Sequence, residues 1–196
     1  MSTVIDTLIY DRTQADVDRV FTLKNKILAG GLNALSAEEF AEYMGGMRGA
    51  YNYTDLNRVA QAVAYIADRM TTIPGELKVY RDGKQVADAS VYRVPYDADS
   101  VEVNPKTDWN MENYPTRSEM EGYLADLATL RKQLKLPANA PAVPATMNKL
   151  TCSVANDIER LLVIIHDALL KEEATIYSRI DRTVPHGHVG IMFCGE

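Results

Sequence analysis

Leu150 to Lys171, LTCSVANDIERLLVIIHDALLK, is the most strongly patterned stretch of this chain and decides how its fold is read. From Ser153 onward Ala155, Ile158, Leu161, Leu162, Ile165 and Leu169 recur at steps of three and four, which is the period of one helix face. Val163 and Ile164 fill the run between them, so Leu161 to Ile165 is apolar without a break. A helix apolar over most of its circumference belongs in the interior of a domain or of an assembly. The spacing therefore predicts a central helix over Ser153–Lys171, with Ile158, Leu162 and Ile165 as its packing residues.

A second long helix has the same layout. Thr54 to Met70 aligns without a gap on Ser153 to Leu169: Thr54 and Ser153 stand as caps, Val59 matches Ile158, Val63 matches Leu162, and Ile66 matches Ile165. Asn57 and Asn156 share the third helical position, where an amide answers free backbone groups of the first turn or ties an incoming loop. Upstream, Thr13 with Asp16 and Thr116 with Glu119 are matching capping boxes, each opening a shorter amphipathic helix. The sequence thus reads as a duplicated unit, a capped helix followed by a longer and more buried one, and predicts that the two long helices touch.

Between and around these units the reading is mixed. Ser36 with Glu39 caps a short helix carrying Phe40, Tyr43 and Met44, and the glycines at 45, 46 and 49 read as a helix stop and turn. Val4, Ile5, Leu8 and Ile9 suggest a short strand or arm. Leu77–Tyr80 and Val86–Tyr92 flank Asp82-Gly83, the pattern of a β-hairpin. Val101–Val103 and Ile191–Phe193 are further short strand candidates, and the prolines between 137 and 144 make a semi-extended loop. The expected class is α+β, mainly α: duplicated helical units in a small bundle, with a hairpin insertion and short terminal strands. The expected divisions are 1–75, 76–105 and 106–196, within one compact domain.

Composition narrows function by exclusion. The chain has 196 residues, 46% hydrophobic and 24% charged, with a net charge of -6. That balance provides no basic footprint for nucleic acid and little attraction to an anionic membrane. Cys152 and Cys194 are the only cysteines and are expected to be reduced thiols of a cytoplasmically made protein. No basic and apolar leader opens the chain, and no run approaches the ~20 apolar residues of a membrane span. His186 and His188 lie in a loop without an evident third metal ligand. Glu159 and His166 share a helix face that reads as solvated or hydrogen-bonded, because no histidine has a glutamate three residues before it. Hydrolase, zinc-protease and phosphate-loop motifs are missing, so no catalytic, cofactor-binding or metal-binding residue is predicted.

Several pieces nevertheless form a recognisable set: Tyr10-Asp11-Arg12-Thr13 with Asp16-Val17, Gly49-Ala50-Tyr51-Asn52 with Asp55 to Val59, and Lys106-Thr107-Asp108-Trp109. Pro115-Thr116 with Met120 and Tyr123-Leu124, Ala155-Asn156-Asp157-Ile158-Glu159, and the terminal Gly195-Glu196 continue it. In these the chain resembles structural proteins encoded among the tail genes of phages and prophages of Gram-positive bacteria. The resemblance implies a virion component of the tail, tail tip or baseplate, made in the host cytoplasm, whose partners are copies of itself and other tail proteins. It supplies no catalytic residue. Asn57, Asn156, Trp109, Ile158, Leu162 and Ile165 are the expected structural or interaction residues. Two other readings follow from the sequence: a cytoplasmic helical adaptor that binds a partner protein in an apolar groove, and a metal-dependent enzyme using His186, His188 and a carboxylate.

Overall fold

The computed structural model describes residues 3–76, 79–81, 84–87, 94–148 and 150–183. The described residues form five α-helices: α1 (Gln14–Gly30), α2 (Ala37–Met44), α3 (Tyr53–Glu76), α4 (Arg117–Gln133) and α5 (Cys152–Thr183). Helices α3 and α5 pack against each other, α4 lies against both, and the amino-terminal segment closes over α3 and α5. Leu127, Leu130, Ile158, Leu161, Leu162, Ile165 and Leu169 are fully enclosed in the resulting core with Val59, Ile66, Met70 and Ile73. The apolar stripes of both long helices thus meet, and Val163 packs at the edge of the same cluster.

The helix ends follow local chemistry. Thr13, Ser36 and Thr116 each accept a hydrogen bond from the backbone N–H three residues on, while Asp16, Glu39 and Glu119 reach back to the cap. The Thr116 backbone N–H and the Lys106 ammonium together hold the Glu119 carboxyl at about 2, well below the usual carboxylate range. Two ends differ from the sequence reading. The cap of α3 is Asn52, whose Oδ1 accepts from the Thr54 N–H and hydroxyl at 2.8 and 2.7 Å. The cap of α5 is Thr151, whose hydroxyl oxygen accepts from the Val154 N–H at 3.2 Å. Both caps move outward by two residues, so the alignment of the long helices is preserved and Asn57 and Asn156 sit in the second turn. Each helix also outruns its expected end, α3 through Pro74 and Gly75 and α5 to Thr183.

The α+β class does not hold, because the described body is helical. Val4–Thr7, expected in a strand or arm, forms a single 3-10 turn closed by Thr3 and Asp6, whose carboxylate accepts from the Thr3 N–H at 2.6 Å. Three-residue spacing places Ile5 and Leu8 together in the core, whereas a strand spreads such residues over two faces. Val101–Val103 follows another such turn, Ala98–Ser100, and forms no strand. The expected hairpin supplies no β layer. Its described backbone is limited to Val79–Arg81 and Lys84–Ala87, an antiparallel pair whose register shifts between Val79 and Tyr80 and which no strand of the body joins. Its turn at 82–83, the rest of the expected second strand and the 191–193 segment lie outside the described residues.

Helices α1 and α2 stand apart from the core. Leu23 is the one buried residue of α1 and α2 buries none, while Phe21, Leu28, Leu32, Phe40, Tyr43 and Met44 are exposed. The connecting turn uses Gly31 at φ 68, a conformation that suits a residue without Cβ. The pair is joined by Arg19 to Glu42 at 2.8 Å and Lys26 to Glu39 at 2.6 Å. Leu162→Ala is therefore expected to cost about 2–5 kcal/mol, whereas Phe21→Ala stays within about 0.5 kcal/mol in the monomer. Urea unfolding midpoints of the two variants check this, and equal losses contradict the packing described.

Candidate functional site

Among the described residues the most concentrated chemistry is a largely buried group of four charges. Glu159 lies in the second turn of α5, on the side turned to the amino-terminal segment, and is 0% exposed. Its Oε1 accepts from Arg12 at 2.7 Å and from Arg58 at 2.9 Å. Its Oε2 accepts from the Ile9 backbone N–H at 2.6 Å and from Arg58 Nε at 3.0 Å. Asp55, in the first turn of α3, accepts from Arg12 at 2.7 Å, from Arg58, and from the Asn52 N–H at 2.9 Å. Two guanidiniums thus face two carboxylates, and the charge of the group sums to zero.

Arg12 makes the most varied contacts of the four. Beyond both carboxylates it donates from Nε to the Arg48 carbonyl at 3.1 Å and from its remaining nitrogen to the Ile9 carbonyl. Its guanidinium carbon lies 5.5 Å from the centre of the Tyr51 ring, within cation–π range. The Tyr51 hydroxyl in turn shares a 2.6 Å hydrogen bond with that of Tyr123 on α4. Burial pushes both phenols above their usual range, so the pair is held as neutral hydroxyls. Close packing around the loop before α3 requires Gly49, where a Cβ would stand 2.1 Å from the Asp16 carbonyl oxygen. Arg12 therefore connects the amino-terminal segment, the 47–52 loop and both long helices.

Asn57 and Asn156 perform one operation twice. Asn57 donates from Nδ2 to the Trp109 carbonyl and accepts the Trp109 N–H on Oδ1, each at 2.8 Å. Asn156 donates to the Arg12 carbonyl and accepts the Arg12 N–H, each at 2.9 Å. Either amide thereby clasps both backbone groups of one residue, as a neighbouring strand would. The pairing is crossed: the first-half asparagine holds the lead-in to α4, and the second-half asparagine holds the lead-in to α1. Trp109 is buried beneath Lys106, whose ammonium lies 4.1 Å from the ring centre and pairs with Glu119 at 2.9 Å.

Ile158, Leu162 and Ile165 lie in the core beneath these contacts. Glu159 and His166 do not form one site, and of the solvated and hydrogen-bonded readings of Glu159 its burial leaves the hydrogen-bonded one. Carboxylate desolvation requires strong partners, and here four donors occupy its two oxygens. His166 lies instead beside Tyr65, ring centres 5.8 Å apart, where burial lowers the pKa of its imidazole. His186 and His188 are outside the described residues. Among the described residues no group of His, Cys, Asp and Glu side chains could hold a metal ion. An open cleft of about 710 Å³ runs between Tyr51, the start of α4 and the segment before α5, with Leu56, Met120 and Met147 among its lining.

Sequence reading missed Arg12, Asp55 and Arg58 as a group with Glu159. Their spacing in the chain has no period, and the available sign was that Glu159, four residues after Ala155 and three before Leu162, falls on the apolar stripe of its helix. No family model, curated protein or solved structure matches the chain. Among the described residues no helix is long and apolar enough to cross a membrane.

Glu159 and Asp55 are enclosed, and among the described residues their partners are the two guanidiniums and backbone N–H groups, an arrangement that fastens segments of the chain together. Glu159→Gln preserves shape but leaves two guanidiniums facing one carboxylate, and is expected to lose about 3–5 kcal/mol in chemical denaturation. A loss near zero would mean the cluster is not closed in solution. For the clasps, Asn57→Ala and Asn156→Ala are each expected to cost about 1–3 kcal/mol, since each strands two backbone groups. Hydrogen exchange should quicken at Trp109 in the first variant and at Arg12 in the second; exchange quickening at the same residue in both would contradict the crossed pairing.

Proposed function

We propose that this chain is a phage virion structural protein of the tail, tail tip or baseplate, acting through protein–protein contacts with copies of itself and with other tail proteins. It is made in the host cytoplasm and then incorporated into the particle. The observation that carries the reading is the division of labour between body and outer helices. Arg12, Asp55, Arg58 and Glu159 saturate one another inside the body, while α1 and α2 present Phe21, Leu28, Phe40 and Met44 to solvent. Exposed apolar side chains concentrated on one element mark a contact surface more than a catalytic one. The segments through which the chain resembles tail proteins also contain the clasp asparagines and all four charges, so the resemblance rests on residues that hold this body together.

Mass spectrometry of purified particles is the direct test. The chain is expected at a stoichiometry comparable with other tail proteins, and retained after a high-salt wash. Its absence from particles, with recovery of a host protein by the tagged chain instead, would replace this reading with that of a cytoplasmic adaptor.

A further inference from the structure

On α4, Glu119, Gly122, Tyr123 and Asp126 follow one another at steps that place them on one face of the helix. The segment 104–109 runs beside that face: the Asn104 N–H donates to Asp126 at 3.2 Å, and Lys106 pairs with Glu119. Between helix and segment lies a recess of about 280 Å³, lined by these residues and by Trp109. Gly122 keeps it open. A Cβ built there meets nothing within 4 Å and its φ is not left-handed, so neither close packing nor backbone conformation requires a glycine that weakens the helix relative to alanine. Asn104 and Gly122 are both exposed, so the recess is open to a partner.

The charges of the lining do not balance. Glu119 is spent on Lys106 and on its own cap, which also occupies the Lys106 ammonium. Asp126 has the Asn104 N–H and no ion pair among the described residues, and burial pushes its carboxyl above the usual range. One unpaired carboxylate therefore stands in a recess with two aromatic side chains. Aligning Thr13 with Thr116 places Asp16, Arg19, Val20 and Leu23 on Glu119, Gly122, Tyr123 and Asp126, and Lys24 on Leu127. In α1 the matching face is closed from within: Leu23 is buried, and Arg19, at the place of Gly122, pairs with Glu42 at 2.8 Å and Glu39 at 3.5 Å.

We propose that the recess over Gly122 receives an arginine side chain of a partner protein, whose guanidinium pairs with Asp126. The first half of the chain supplies such a group from its own helix; the second half takes it from outside. A planar guanidinium binds a carboxylate through two N–H groups and suits aromatic walls. The recess is several times the ~30 Å³ share of one water, which leaves room for the carbon stem behind it. An anion is disfavoured because Lys106 is already engaged and the Trp109 indole N–H is sealed from water. One free carboxylate is too few ligands for a divalent ion. The inference rests on the reading of a protein that works through protein–protein contacts, and deepens it by naming a residue type the partner brings.

Trp109 is the only tryptophan of the chain, so its fluorescence reports on the recess directly. Titrating the full chain with N-acetyl-arginine methylamide at constant ionic strength should give a saturable change. The citrulline analogue, similar in shape but uncharged, should give none, and the lysine analogue should bind more weakly. Asp126→Asn should weaken binding of the arginine probe about tenfold or more, and Gly122→Leu, which fills the recess, should abolish it. Both variants should unfold at the wild-type temperature or above, because asparagine still offers the Asn104 N–H an oxygen and leucine is the better helix former. No saturable signal, equal binding of either analogue, or unchanged binding by Gly122→Leu overturns the inference. So does a lowered unfolding temperature in Gly122→Leu, which would make the glycine structural. A chain that binds the probe yet is absent from particles keeps the recess and sinks the virion reading; a chain found in particles that binds no probe does the reverse.

Discussion

A carboxylate enclosed on the buried face of α5 imposes the main constraint on this fold. Leaving Glu159 ionised away from water costs several kcal/mol unless donors replace its hydration. Those donors come from distant parts of the chain: the Ile9 N–H and Arg12 from the amino-terminal segment, and Arg58 from α3. Asp55 then completes the charge balance by accepting from both arginines. Satisfying one side chain therefore brings the first turn, the start of α1, the 47–52 loop and both long helices to fixed positions. Apolar burial supplies most of the favourable free energy of the core but is not directional; the charge cluster selects one arrangement of the amino-terminal segment over that core.

Around this cluster the two halves are related by repetition and separated by its failure. The crossed asparagine clasps and the matched capping boxes are shared features of both halves. At the cluster itself the repeat is lost, because Glu159 aligns with Ala60 and Asp55 with Val154. The helices α1 and α4 have diverged further. With Leu127 and Leu130 facing inward, α4 became part of the core, while the lysine at the matching place in α1 makes burial against an apolar body unfavourable. The repeated unit thereby yields one helix that completes the core and another that stays at the surface.

Much of the helical layout was legible from residue order. The capping boxes at Thr13, Ser36 and Thr116, the stripes of α3 and α5 and the gap-free match between them depend on neighbours within a turn or two, and short-range chemistry decides them. Misreadings fell where local and tertiary preferences compete. Val4 to Ile9 has the composition of a strand, but Thr3 and Asp6 close a turn and the core accepts Ile5 and Leu8 together. Asn52 and Thr151 displaced Thr54 and Ser153 as caps because any of these residues satisfies a first turn; the position of the preceding loop chose between them.

By itself, then, the sequence determined that the protein is built on two long related helices with their apolar faces together, because hydrophobic periodicity is a local property that survives in almost any packing. It also determined that Asn57 and Asn156 are equivalent. Only the tertiary structure decided what those asparagines grip, that Glu159 is buried and not solvated, and that Arg12, Asp55 and Arg58 converge on one another or on it. Charges separated by 43 and 147 residues become neighbours only after the chain has folded. No periodicity connects them, and their attraction becomes strong only in the low-dielectric interior that the fold creates.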